Sequence, residues 1–311
     1  MNTRTFAVGW LIMISAAISG LAQDNGALQD LVPADADLET LGTGMKFTEG
    51  PVWSDENGGF LIFSDIPASE LKVWTKSDGV KTWRTDSNQT NGNTRNRQGR
   101  LISCEHATRR VTMSQSNADT VTLVERYDGK RLNSPNDAVV KSDGTIWFTD
   151  PTYGLGDRAK EQSANHVFVF NPQTEQIKPV VSDFVQPNGL CFSPDEKKLY
   201  VADSGKPRHI RVFDVNPDNT LSNGKVFCTI DKGVPDGIRC DERGNVWSSA
   251  GDGVAVFAAD GKLIGRVPVP ESPANLCFGG ADGKTLFVTA RTSLYAIKTN
   301  VRGAQRPSER R

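Results

Sequence analysis

The sequence predicts an all-β chain, a six-bladed β-propeller with four-stranded blades around a central channel, and three observations carry that prediction. One pattern recurs six times at a period of about 40–50 residues, the length of a four-stranded blade. Each copy sets short strand-forming runs on either side of an Asp/Gly-rich turn, with no helical periodicity to compete. The amphipathic helices that a doubly wound α/β fold needs are missing, and a two-sheet sandwich gives no reason for six matching copies.

The copies run from Glu49-Gly50-Pro51 to Asp65, Asn91-Gly92 to Glu105, and Pro135-Asn136-Asp137 to Asp150. They continue from Pro187-Asn188-Gly189 to Asp203, Pro235-Asp236-Gly237 to Ala250, and Pro273-Ala274-Asn275 to Thr289. In the third, Ala138-Val139-Val140 and Thr145-Ile146-Trp147-Phe148 flank the turn cluster Ser142-Asp143-Gly144. Two more strands follow in most copies, as at His166–Phe170 and Ile177–Val181. The propeller is expected over 36–300, after an N-terminal linker at 23–35 and before a basic, disordered tail at 301–311.

Residues 1–22 have the character of a signal peptide. Arg4 supplies the positive start, Phe6 to Ile18 the short apolar run, and Gly20-Leu21-Ala22 the small residues before a cut near Gln23. The run is too short for a comfortable span, so the mature chain is expected in the periplasm or medium with no stable membrane insertion. With 311 residues and a formal net charge of −1, nothing supplies a basic surface for nucleic acid. The chain is expected to be a monomer that meets only small molecules. Five cysteines remain, with no CxxC, and those in apolar strand-like runs are expected as buried thiols.

A radial repeat brings equivalent positions together around its axis. The residue opening the innermost strand of each copy is Glu49, Asn91, Asn136, Asn188, Asp236 and then Ala274-Asn275. Any one Pro-Asn or Asp-Gly pair reads as a turn. Several at one phase of a repeat read as a ring of oxygen donors at the channel mouth. Without Cys or His, that set suits one divalent cation, Ca²⁺ before Mg²⁺, with Zn²⁺ able to substitute.

Four segments are similar to the signatures of the SMP-30/gluconolactonase/LRE-like family: Glu49-Gly50-Pro51-Val52-Trp53, Ser134-Pro135-Asn136-Asp137, Pro187-Asn188-Gly189-Leu190 and Pro235-Asp236-Gly237. Phe148 to Leu155, with Cys104-Glu105-His106 and Arg109-Arg110, resembles its bacterial gluconolactonase-type members, and the likeness spans Phe47 to Ala296. The resemblance implies hydrolysis of a sugar lactone or related lactone beside a divalent cation held by Glu49, Asn188 and Asp236. Asn136 is carried over as a further ligand or as a substrate contact. The substrate-binding arginine of animal members has no clean counterpart, because the stretch Arg131-Leu132-Asn133-Ser134 is longer.

A lactone is an ester, so its hydrolysis needs an oxyanion stabilised and a water delivered. The resemblance makes Asp236 the general base, and Asp137 is a second carboxylate beside it that fits the same role. Asn91, Asn136, Glu105, His106 and Tyr153 are the expected substrate contacts. No GxSxG segment exists for a serine triad, and the three histidines are His106, His166 and His209. Two alternatives stay open: a sugar-binding propeller stapled by a structural metal, and an esterase or organophosphatase on the same site.

Overall fold

The computed structural model describes residues 25–116 and 119–304. Six four-stranded antiparallel sheets form the blades: 48–84, 90–124, 138–184, 187–229, 238–268, and 273–298. The sixth takes its outermost strand from the other end of the chain. Glu39–Gly42 pairs antiparallel with Ser293–Lys298, setting Glu39 opposite Ala296 and Thr40 opposite Tyr295. That pairing ties the first strand to the last blade and closes the ring, which leaves no open sheet end between first and last blades. A short hairpin, Arg126–Tyr127 with Lys130–Arg131, stands between blades 2 and 3.

Apolar side chains on the two faces of each blade pack against the neighbouring blades. Trp147 of blade 3 meets Phe192 of blade 4 edge-on at 5.4 Å, and Trp247 of blade 5 meets Phe278 of blade 6 in the same way at 5.4 Å. Trp53 stacks on Phe287 at 5.3 Å where blade 1 returns to blade 6. Trp147 and Trp247 have no exposed surface, and each contributes more than about 2 kcal/mol by leaving water. All five cysteines are buried and unpaired.

The acidic residue that ends several second strands is structural. Asp65 accepts the backbone N–H groups of Lys46 and Phe47 at 3.0–3.1 Å. Asp203 accepts those of Val185, Gln186 and Gly205 at 2.9–3.0 Å, and Asp150 that of Asn133 at 2.7 Å. Each carboxylate pins the loop that delivers the innermost strand of its own blade.

Two expectations about the ends change. The presumed linker 23–35 contains a helix, Asn25–Gln29, and then Leu31 and Val32, which are buried against blades 5 and 6. Their apolar side chains finish a core that the blades alone leave open. The first residues of the presumed tail are also placed: Val301 is fully buried, and the Ala304 N–H reaches the Cys240 carbonyl at 2.8 Å. The segment expected to be a signal peptide, 1–22, and residues 305–311 of the expected tail lie outside the described residues. No helix among the described residues is long and apolar enough to cross a membrane.

Candidate active site

The innermost strands are irregular where the predicted ring residues sit. Pairing slips between Glu49 and Val52, between Thr90 and Asn93, between Pro187 and Leu190, and between Pro273 and Asn275. A bulge re-aims the side chains it carries, and here it turns the strand opening toward the axis. Register fixes the ring. Thr48, Thr90, Pro187 and Pro273 sit opposite Asp65, Glu105, Asp203 and Ala290, so the next residues, Glu49, Asn91, Asn188 and Ala274, are equivalent. Blade 6 therefore brings Ala274 to the ring, and Asn275 stands one step deeper.

The blades touch along this ring through the residue after each donor. The N–H groups of Gly92, Gly189 and Gly237 reach the carbonyls of Asn136, Asp236 and Ala274 in the next blade at 2.7, 3.1 and 2.8 Å. A Cβ on Gly189 would lie 2.3 Å from the Asp236 carbonyl oxygen. The glycine of the Pro-Asn-Gly segment is thus a spacing requirement. It lets blade 4 approach blade 5 closely enough for Asn188 and Asp236 to share one volume.

Asp137 and Asn275 occupy that glycine's position in blades 3 and 6, and both reach across the channel. Asn275 Nδ2 donates to Glu49 Oε2 at 2.9 Å and to Asp137 Oδ2 at 3.4 Å. The Gly50 N–H donates to Glu49 Oε2 at 2.7 Å, and Arg239 Nη1 reaches Asp137 Oδ2 at 3.3 Å. Burial, with the charge of Asp137 added, pushes the Glu49 carboxyl up to about 7 despite the Asn275 and Gly50 bonds. Burial and then the charges of Glu49 and Asp137 hold the Asp236 carboxyl well above its ordinary range, and the Asn188 amide offsets this only in part.

Three carboxylates thus face one arginine, a formal charge of −2 when all are ionised. A dication neutralises that sum, and carboxylate and amide oxygens suit a hard one. Among the described residues no three His, Cys, Asp or Glu side chains gather at metal-holding spacing. An ion here would therefore bind through Glu49 and Asp236 with the amide oxygens of Asn188 and Asn136.

Toward solvent, Asn188 Nδ2 donates to Ser204 Oγ at 2.9 Å, and Ser204 donates to the Pro235 carbonyl. The Tyr153 hydroxyl lies near Ser204 and Asn188 within the field of Asp236; burial raises its pKa, and those two polar neighbours offset this in part. Its ring remains half exposed at the mouth. Asn91 contacts His106 Nε2 at 3.3 Å, and burial lowers the imidazole to about 4, so the ring is neutral. The loop carrying Tyr153 covers His106: a Cβ on Gly154 would lie 2.3 Å from its ring. Arg158 bonds the carbonyls of His106 and Gly154. His106 is therefore placed to orient Asn91.

Glu105 is not brought to the group. Its carboxylate serves Thr108, Thr112 and Arg110 within blade 2, because it stands at the strand-ending position of Asp65 and Asp203. The sequence reading missed Ser204 and Arg239. Ser204 directly follows Asp203, where the hairpin of blade 4 faces Asn188, so repeat phase could have found it. Arg239 gives no such sign, since the equivalent residues are Val52, Thr94, Val139, Cys191 and Cys277.

Above the ring, a cavity of about 290 Å³ is bordered by Phe47, Arg208, Asp236, Pro273, Ala274 and Arg291. That is the lower end of small-molecule sites, roughly 300–1,000 Å³. The opposite end of the channel holds a narrower cavity of about 100 Å³, whose lining includes Val139, Cys191 and Arg239. Arg239 lines this second cavity and reaches Asp137 with its guanidinium.

The chain is similar to several proteins of known name. A gluconolactonase from Zymomonas mobilis is 30% identical, the match covering 94% of this chain and 89% of that one. A pentonolactonase from Haloferax volcanii is 26% identical over 79% of this chain and 82% of its own. The structure of a gluconolactonase from Xanthomonas campestris superposes with a TM-score of 0.83 at 35% identity, covering 88% of this chain and 92% of that one. Residues 47–292 match the model of the SMP-30/Gluconolactonase/LRE-like region, so this six-bladed propeller belongs to that family.

Proposed function

We propose that this chain is a lactonase that hydrolyses sugar lactones to the open hydroxy acids. The observation that carries the proposal is the donor shortage at two neighbouring buried carboxylates, Glu49 and Asp236, of which Asp236 borders a small-molecule cavity. Relatives named gluconolactonase and pentonolactonase at matching coverage support the same chemistry.

Hydrolysis adds a water oxygen to the ring carbonyl carbon as a base takes one proton. The ring C–O bond then breaks as that proton passes to the departing ring oxygen, giving the hydroxyl of the open acid. Of the two candidate bases the geometry favours Asp236. Asp137 is buried, and its oxygens already receive the Ala138 N–H at 2.9 Å, Arg239 and Asn275. Asp236 borders the cavity, where a water beside the substrate can reach its carboxylate. Tyr153 and Ser204 offer hydroxyls to the sugar at the rim, and the neutral His106 keeps the Asn91 amide turned. A dication held by Glu49, Asn188, Asp236 and Asn136, for which we propose Ca²⁺, would polarise the lactone carbonyl.

The proposal extends to export. Arg4, the Phe6–Ile18 run and Gly20-Leu21-Ala22 support a periplasmic or secreted chain that starts near Gln23. Mass spectrometry of the mature protein checks it, and a soluble chain starting at Met1 rejects it. The activity is tested by proton release over a panel of sugar lactones with native, chelated and metal-restored protein. Turnover lost with chelator and regained with Ca²⁺ is expected. Absence of turnover on every lactone would leave a ligand-binding propeller as the better account.

A further inference from the structure

We infer that Arg208 and Arg291 form an anion-reading rim over the site, and that the natural lactone carries an anionic group remote from its neutral ring ester. The lactone chemistry rests on the reading above; the rim rests on its own observations. Both arginines border the cavity that has Asp236 at its floor. They arrive from different blades, Arg208 in the turn before His209–Val215 and Arg291 in the turn before Ser293–Lys298. Their side chains therefore converge on one opening from turns more than eighty positions apart in the chain.

Both residues have left-handed backbones, with φ of 47° and 42°. Glycine or asparagine would serve such a turn more easily, so the turn itself does not explain an arginine. Arg109 occupies the corresponding turn of blade 2 with φ of 58°, and its use is plain. It donates to the carbonyls of Leu132 and Asn133 and pairs with Glu161 at 3.1 Å. Arg208 and Arg291 are exposed. Among the described residues neither guanidinium has an ion pair or hydrogen bond.

The neighbouring carboxylates are already engaged. Glu271 accepts from the Thr292 N–H at 2.8 Å, from Thr292 Oγ1 at 2.9 Å, from Tyr295 at 3.0 Å and from Ser293. Asp203 is taken by three backbone amides. Asp231 and Asp252 pair with Arg266, and Lys232 with Asp252. Arg239 answers Asp137, which leaves a dication to answer Glu49 and Asp236. The rim then keeps two unanswered positive charges over a neutral floor. Guanidinium forks recognise carboxylate, phosphate or sulfonate in a bidentate manner, and a neutral sugar lactone would leave both without a partner.

The test uses the full mature protein and its Arg208→Gln, Arg291→Gln and double variants. Substrates are neutral D-glucono-1,5-lactone and two anionic lactones, 6-phospho-D-glucono-1,5-lactone and D-glucaro-1,4-lactone. The expected result is a wild-type kcat/KM ratio favouring an anionic lactone and shrinking as salt is raised. The double variant should lower that ratio roughly ten-fold. A wild-type ratio at or below one, or a ratio unchanged in the double variant, overturns the rim. The second measurement needs no turnover: calorimetric binding of 6-phosphogluconate and glucarate to wild type and double variant. If no lactone is hydrolysed but these anions bind wild type and are lost with the arginines, the rim stands and the lactonase reading falls. If lactones are hydrolysed and anion binding is equal in both proteins, the rim falls and the lactonase reading stands.

Discussion

Asp65, Asp150 and Asp203 close the second strands of their blades, while Glu49, Asp137 and Asp236 stand where the first strands open. Both sets recur with the repeat. They differ in what they receive. Asp65 and Asp203 accept two and three backbone N–H groups from the loops they pin. Between them, Glu49 and Asp236 receive one backbone amide, that of Gly50, and the side-chain amides of Asn275 and Asn188. A buried carboxylate supplied with amides holds the fold together. One left short of donors beside the cavity stores a charge that a ligand can answer. Asp150, with one buried oxygen unpartnered, instead lies against backbone and keeps a raised pKa.

The largest effect that separates the sets should come from two isosteric changes. Asp236→Asn removes the proton acceptor, so kcat at saturating metal should fall about 10²–10⁴-fold. Its metal-free melting temperature should hold or rise, because a carboxyl whose folded pKa is raised costs stability once it ionises. Asp203→Asn should do the reverse. An amide offers one accepting oxygen to three N–H groups, a loss of about 3 kcal/mol, or roughly 6–12 °C in a domain of this size. Activity per folded molecule should persist. Paired melting and turnover measurements decide, and a catalytic loss in Asp203→Asn without unfolding would dissolve the distinction.

Arg239 is the one charge given to the second set, so Arg239→Met sharpens the comparison. Breaking a pair this buried costs about 3–5 kcal/mol, and the metal-free melting temperature should fall accordingly. The remaining carboxylates then attract a cation more strongly, and Ca²⁺ affinity should rise by about ten-fold. Calorimetric titration of wild type and variant measures this. Equal affinities would show that Arg239 only fills space.

The two sets were not equally legible in the sequence. Glu49, Asn188 and Asp236 could be read because glycine must follow each of them for the blades to touch, which leaves a short motif at a fixed phase. Glu105 was drawn into the site because its acidic character was noticed before its phase, which is that of Asp65 and Asp203. Arg239 could not be read at all. Its role depends on a long side chain crossing the channel to a blade two places away, and no local pattern records that. Ring closure by Glu39–Gly42 was hidden for a similar reason: four half-exposed residues become a strand only because Ser293–Lys298 lies alongside. The core contribution of Leu31 and Val32 likewise depends on blades 5 and 6 being in place.

Proton linkage gives a further test. Glu49 stands at about 7 in the fold against an ordinary 4.5, and Asp150 at about 7 against 3.8, both through burial first. The folded chain then binds more protons than the unfolded chain between those values, so metal-free stability should fall as pH rises from about 4 to about 7. A cation must displace the protons held by Glu49 and Asp236, so its stabilisation should be small at pH 5 and grow as pH rises through 7. Ca²⁺ reverses the Glu49 and Asp236 shares but not that of Asp150, which faces backbone. Melting temperatures over pH 5–8, with chelator and with Ca²⁺, check the sign. A Ca²⁺ effect that is independent of pH would remove both Glu49 and Asp236 from the ligands.

The smallest expected effect belongs to the rim. Tyr153 reaches Ser204 and Asn188 through its hydroxyl, and its ring is half exposed. Tyr153→Phe keeps the ring that overhangs the mouth and removes one hydrogen-bonding group beside a donor of the second set. A neutral hydrogen bond at a partly solvated position is worth about 0.5–1.5 kcal/mol, so kcat/KM for a sugar lactone should fall about 2- to 12-fold. If Tyr153 binds sugar, the loss should appear in KM and leave metal affinity alone. If it serves only to hold Asn188 in place, Ca²⁺ affinity should weaken and excess metal should restore the rate. Steady-state kinetics at two Ca²⁺ concentrations separates the outcomes. Recovery of the rate by metal would move Tyr153 from the sugar to the support of the ion, and the boundary between the two sets of carboxylates would then extend one residue further toward solvent.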